Sequence, residues 1–207
     1  KIEALQYLTL GDFSPHFPTD AQRSQWLADL AYCQFSVAEM TDGTAWEMLA
    51  PHTMKQDQIS WAGLPPGECE KAQYRVMHAS GKMFRGASIK GHLEVLADLI
   101  HQHRPVSLLD YGSGKGAQYT EWKVQQNWGG LVPVCYDPGV PEFDQKPEGK
   151  FDGVICTDVI EHIPPETVER DYLEAIGYAI KFAFFCIYTG PARKFLPDGR
   201  NEHLPQR

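Results

Sequence analysis

Apolar residues recur at helical spacing between Ser88 and His103, where Ile89, Leu93, Val95, Leu96, Leu99 and Ile100 form one face. Arg104-Pro105 stops that helix, and Val106 to Asp110 is a short apolar run that leads straight into glycines. Ala117 to about Asn127 reads as a second helix, closed by Trp128-Gly129-Gly130. Leu131 to Tyr136 and Phe151 to Thr157 are further strand-like runs. A helix from Glu166 to about Ile180 follows Pro164-Pro165, and Phe182 to Tyr188 is a fourth strand. Strands alternating with helices predict a parallel sheet with crossover helices, an α/β layer fold.

Before residue 80 the pattern differs. Apolar positions are scattered among Pro, Gln and Trp, and no strong strand is expected there. Thr19-Asp20-Ala21-Gln22 is a capping box that opens a helix to about Gln34, with Trp26, Leu27, Leu30 and Ala31 on one face. Residues 43–50 form a further short helix on this reading, and Glu68 to about His78 another after the Pro65-Pro66-Gly67 break. The expected organisation is therefore a helical N-terminal extension over residues 1–80 and a core over residues 81–207.

A length of 207 residues suits one generous domain, or one domain with an extension. Hydrophobic residues at 43% and charged residues at 22% exclude wholesale disorder. No apolar run reaches the roughly 18 residues of a membrane span, and no leader opens the chain, so no membrane partner is expected. The net charge of −8 disfavours bulk electrostatic coating of nucleic acid, although a local patch could still grip a few phosphates. Five widely spaced cysteines, Cys33, Cys69, Cys135, Cys156 and Cys186, without a C-x-x-C, read as reduced thiols of a cytoplasmic protein.

The segment Leu108-Leu109-Asp110-Tyr111-Gly112-Ser113-Gly114-Lys115-Gly116 changes the picture most. A strand ends in an acid, and glycines at alternate positions let the backbone approach a ligand closely. The following helix should offer free N–H groups at its start. Asp137 ends the next strand, where an acid can accept hydrogen bonds from ribose hydroxyls. A phosphate-binding P-loop fails because Lys115 is followed by Gly116 rather than Ser or Thr. A dinucleotide fingerprint fails because the glycines fall at every second position.

The pattern D-x-G-x-G-x-G instead resembles the first motif of class I S-adenosylmethionine (SAM)-dependent methyltransferases, of bacterial or phage type. Phe151-Asp152-Gly153-Val154-Ile155-Cys156 is similar to the family's fourth strand, and Thr157 to His162 to its "VLEH" ending. The resemblance spans about Gly86 to Tyr188 and implies a Rossmann-like sheet with SAM as cofactor. It implies that Asp110 orients the glycine loop near the methionine amino group. Gly112, Ser113, Gly114 and Gly116 would pass under the methionine, Asp137 with Pro138 would hold the ribose, and Asp158 would sit by the methyl-transfer cleft.

Two departures from the family are visible. Only thirteen residues separate Asp137 from Phe151, too few for the usual helix and third strand, so the sheet should be shortened between its second and fourth strands. Glu142 or Asp144 is then the substitute for the acid that meets the adenine. No closing antiparallel hairpin follows Tyr188, so it is either missing from this stretch of chain or replaced by the N-terminal extension.

For the chemistry, His162 is the expected general base, with Asp158 and Glu161 beside it; the bland alternative is that Glu161 and His162 cap the next helix. Asp158, Glu161, His162 and His203 also form a carboxylate–imidazole set suited to Mn, Fe or Zn. That set resembles the metal-binding turn of small-RNA 3′-terminal 2′-O-methyltransferases, with Asp158 in place of a Glu. In residues 78–86, Lys82 and Arg85 are candidates for the SAM carboxylate, and Phe84 for covering the sulfonium. Arg193, Lys194 and Arg200 on the last loop point to an anionic methyl acceptor. The leading expectation is a methyltransferase acting on an unidentified acceptor with His162 as base. The alternatives are the metal-assisted RNA-terminus enzyme and a non-catalytic SAM-binding or partner-binding module.

Overall fold

The computed structural model describes residues 3–9, 61, 63–79 and 83–204. The helices expected over 19–34 and 43–50, together with Cys33 and Lys82, lie outside the described residues. Five strands form one sheet: β1 (Glu3–Thr9), β2 (Leu108–Tyr111), β3 (Val134–Tyr136), β4 (Phe151–Thr157) and β5 (Ala179–Tyr188), in the order β1-β5-β4-β2-β3. The last four are mutually parallel, whereas β1 runs antiparallel to β5. Helix α1 (Glu68–Ala79) precedes this parallel core. Helices α2 (Leu93–His103), α3 (Ala117–Thr120) and α4 (Val168–Gly177) alternate with its strands.

Period-two alternation explains how both faces of the sheet are buried. Leu108, Ile155, Phe182, Phe184 and Cys186 point to one face, where they pack with Ile89, Leu96, Leu99 and Ile100. Leu109, Val154, Cys156, Ala183 and Phe185 point to the other, against Tyr172 and Ala175 of α4. A third, smaller cluster of Met77, Leu196 and Leu204 joins α1 to the loop after β5. That cluster roofs the carboxyl ends of the strands, where ligands lie in open α/β sheets. Cys69, Cys135, Cys156 and Cys186 form no disulfide among the described residues.

Three elements differ from expectation for local reasons. The helix after the glycine loop lasts only four residues, because Lys123 turns left-handed with φ of 50°. The chain continues as a short 3₁₀ turn that brings Val124 and Trp128 into the core beside α2. β3 begins at Val134 rather than Leu131, since Pro133 has no N–H to give the ladder. β5 begins earlier than expected, at Ala179, immediately behind α4.

The shortened sheet is as expected: residues 137–150 are turns, and β3 is an edge strand. The N-terminal part of the chain corrects the sequence reading, for it contributes a strand as well as a helix. β1 pairs with β5 from Glu3↔Tyr188 to Thr9↔Phe182, at the edge of the sheet. Deleting residues 1–10 should uncover the outer edge of β5, an unpaired row of N–H and C=O groups. The truncated chain is expected to melt at lower temperature and to self-associate in light scattering. Unchanged melting and a monodisperse monomer would show that this pairing contributes nothing.

Candidate functional site

The glycine loop is pinned from three directions. Gly112 N–H and Ser113 N–H donate to Tyr136 O at 2.7 and 3.1 Å. Gly114 N–H donates to Asp137 Oδ2 at 2.8 Å. From the third side the segment 84–86 crosses the loop: Lys115, Ala117 and Gln118 N–H donate to the carbonyls of Phe84, Arg85 and Gly86 at 3.0, 2.8 and 2.9 Å. The first N–H groups of α3 are therefore not free, contrary to expectation, because this strap already satisfies them.

Gly114 has φ of 56°, and a Cβ there would lie 2.6 Å from Phe84 O and 2.9 Å from Gly86 N. Its missing side chain makes room for the crossing segment. Asp110 is fully buried behind the loop and accepts from Gln118 Nε2 at 2.6 Å and Tyr119 Oη at 2.8 Å. Burial pushes its carboxyl up to about 7 despite those two donors.

The strap, the glycine loop and the strand ends enclose a cleft of about 1120 Å³. Of the expected cofactor residues, Gly112, Gly114, Asp137, Pro138, Asp158 and Phe84 line it, whereas Asp110, Ser113 and Gly116 stand behind its wall. Asp137 uses one oxygen for Gly114 N–H and the other for Gly139 N–H at 2.8 Å, and it lies 3.8 Å from His78 Nε2. Phe84 packs among Tyr74, His78 and the Lys194 ammonium, which sits 4.5 Å from its ring centre. Glu142 and Asp144 are not among the lining residues, and Asp144 instead faces Arg75 at 3.8 Å. Arg193 and Lys194 line the cleft. Arg200 does not, being held by Glu70 and Asp198 at 2.7 Å each.

At the far end of the cleft a 3₁₀ turn, Ile160–His162, follows β4. Asp158 opens this connection with φ of 54°, a left-handed conformation uncommon for a non-glycine residue, and it is exposed to the cleft. Glu161 is buried; Oε1 accepts from Tyr188 N–H at 2.9 Å, while Oε2 has no partner among the described residues. Burial pushes its carboxyl up to about 8 and the His162 imidazole down to about 4.

His162 Nδ1 lies 2.9 Å from Tyr74 Oη and 3.1 Å from Glu202 O, and His203 Nδ1 lies 2.6 Å from Gly190 O. With both Nδ1 atoms protonated toward carbonyls, both Nε2 lone pairs are available. The two rings are 4.9 Å apart, and ligand atoms of Glu161, His162 and His203 all lie within 4.8 Å of one another. Asp158, the fourth member of the expected set, falls outside that group.

An orphaned buried carboxylate oxygen beside two oriented imidazoles fits a divalent ion, with the carbonyls as outer partners that fix the tautomers. Two further residues of this end were not singled out from sequence. Tyr74 carries no motif, and Glu202 was visible only as the neighbour of His203. Glu202 is buried with Oε1 unpartnered, and burial raises its pKa.

No known family profile matches the chain, and no curated protein matches it. A solved structure described as a DhpI–SAH complex is 16% identical to it, covering 65% of this chain and 76% of that one at a TM-score of 0.35. That likeness is too distant to carry fold or chemistry across.

Two measurements follow from the geometry. If Asp137 also receives ribose hydroxyls, Asp137→Ala should weaken SAM binding by about 1.5–3 kcal/mol in calorimetry. Equal affinity in a folded variant would remove Asp137 from the cofactor site. Asp110 holds its proton more tightly folded than unfolded, so its contribution to stability falls as pH rises from about 4 to about 7. Relative to Asp110→Asn, the native chain should lose stability across that window, at up to about 1.4 kcal/mol per pH unit in urea melts. Parallel profiles would show that Asp110 does not titrate there.

Proposed function

We propose that this chain is a SAM-dependent methyltransferase whose acceptor hydroxyl is held by a divalent ion. The supporting observation is that one cleft contains both halves of such a site. The glycine loop and Asp137 line it, and so do Glu161, His162 and His203, whose ligand atoms converge. A volume of about 1120 Å³ exceeds the usual range of roughly 300–1,000 Å³ for a single ligand and leaves room for cofactor and acceptor together.

SAM, when bound, supplies an electrophilic methyl group. The chain's own part is alignment: the glycine loop lines the cleft with backbone at Gly112 and Gly114, held in shape by Val159 and the crossing segment, and Asp137 presents its carboxylate to ribose hydroxyls. Glu161, His162 and His203 would hold the ion, which there supplies a Lewis acid that lowers the pKa of a bound hydroxyl. Arg193 and Lys194 line the same cleft and suit an anionic acceptor. An RNA end, whose terminal ribose hydroxyls lie beside a charged phosphodiester, is one such acceptor.

The base reading of His162 keeps support from one observation, namely that burial leaves the ring neutral with Nε2 open. Chelator-stripped protein assayed with labelled SAM against diols, nucleotides and RNA with a free 3′ end separates the readings. On the metal reading, stripping abolishes transfer, Mn or Zn restores it, and His162→Ala and His203→Ala each cost at least ~10²-fold. A chelator-insensitive enzyme lost only by His162→Ala, by ~10²–10⁴-fold, would instead establish the base. SAM binding without transfer to any acceptor would make the chain a binding module.

A further inference from the structure

Helix α1 buries Glu70, Gln73, Met77 and His78, one face at helical spacing, with Tyr74 beside them. Against this face lies the loop after β5. Gln73 is 0% exposed and commits both ends of its amide to Asp198. Its Nε2 donates to Asp198 Oδ2 at 2.8 Å, and its Oε1 accepts from Asp198 N–H at 3.0 Å. Arg200 spans Asp198 and the buried Glu70, and Tyr74 Oη donates to Glu202 O at 3.2 Å.

The loop is stiff between this contact and His203. Leu196 N–H donates to Arg200 O at 2.8 Å, and Asn201 Oδ1 accepts from both Ala192 N–H and His203 N–H at 3.0 Å. A displacement at Asp198 therefore reaches His203. If the loop left α1, both ends of a sealed amide would lose their Asp198 partners, leaving Nε2 only the weak acceptor Cys69 Sγ at 3.4 Å, a penalty that keeps the loop seated.

We infer that the Gln73–Asp198 clasp, reinforced by Glu70–Arg200, is a positioning device that holds His203 against Glu161 and His162. The inference rests on the reading of those three residues as an ion site, and it adds that α1 sets the site's affinity from outside it. Gln73 touches neither cofactor nor ion; it acts through the loop.

The test uses the full chain and two readouts. Cobalt(II) titration, followed by visible absorption, gives metal affinity, and two-bond ¹H–¹⁵N spectra give the imidazole tautomers of His162 and His203. Gln73→Ala should weaken cobalt binding by ~10–100-fold and average the two His203 nitrogen shifts. SAM affinity should stay within about twofold, which also reports folding.

Native tautomers and native cobalt affinity in Gln73→Ala would overturn the inference. Should the native chain take up no cobalt, the ion reading falls and the His203 spectrum alone decides. A preserved tautomer in Gln73→Ala then overturns the clasp, and a lost one sustains it. If Gln73→Ala does not fold, Arg200→Met, at the exposed end of the clasp, carries the same measurements.

Discussion

The crossing of segment 84–86 over the glycine loop is the contact on which the rest of the cleft depends. Three backbone hydrogen bonds join the two segments, and they form only because Gly114 has no Cβ to meet the Phe84 carbonyl. The strap satisfies the N–H groups at the start of α3, which would otherwise be orphaned beneath it. It also fixes Phe84, on which Tyr74 and His78 of α1 and Lys194 of the last loop all pack. One backbone crossing thus sets the floor of the cleft and the seat of its roof.

The roof is polar in a way the sheet is not. The two faces of the sheet are covered by alternating aliphatic and aromatic residues, and they would hold together with any ligand or none. The contact between α1 and the last loop has only a small apolar cluster and relies on Gln73, Asp198, Arg200 and Glu70. Buried polar contacts add little net stability when satisfied and cost more when broken, so they specify one arrangement rather than strengthen it. That division suits a rigid sheet carrying a site whose far wall is positioned by geometry.

The legible and illegible parts of the chain divide along sequence separation. Phe151–Thr157 has the bounds its apolar run implied, and the helix after Pro65-Pro66-Gly67 was readable from its break and its spacing. The alternation from Ser88 onward gave the parallel core, because crossover helices leave period and length signals in the local sequence. β1 left no such signal, since its pairing with β5 spans most of the chain and its composition is unremarkable for a coil. The break at Lys123 was equally hidden, for it answers to the core that Val124 and Trp128 fill. At the site, Asp158, Glu161, His162 and His203 were visible as residue types at a spacing. That Glu161 joins the two histidines while Asp158 does not is a matter of where β4 ends and how the last loop returns. Gln73 and Asp198 lie 125 positions apart, and nothing local to either announces the other.

The electrostatics of the far wall carry the last step. Glu161 and Glu202 are both buried with an oxygen lacking a partner among the described residues, and His162 is half-buried beside them. A wall that served only packing would lose little by replacing these groups with apolar ones, whereas each unsatisfied buried polar atom costs about 1–3 kcal/mol. Burial alone drives every one of them toward its neutral form, the carboxyls upward and the imidazole downward. A divalent charge among them reverses that preference for the carboxylates, since it favours their ionised form, and leaves the imidazole neutral because a ligand needs its lone pair. The same burial that is unfavourable for an empty wall keeps competing water and protons away from a filled one. On the proposed reading, the cost of these orphaned groups is offset at the moment the ion binds. The fold can carry that cost because the two apolar faces of the sheet stabilise it independently of the site.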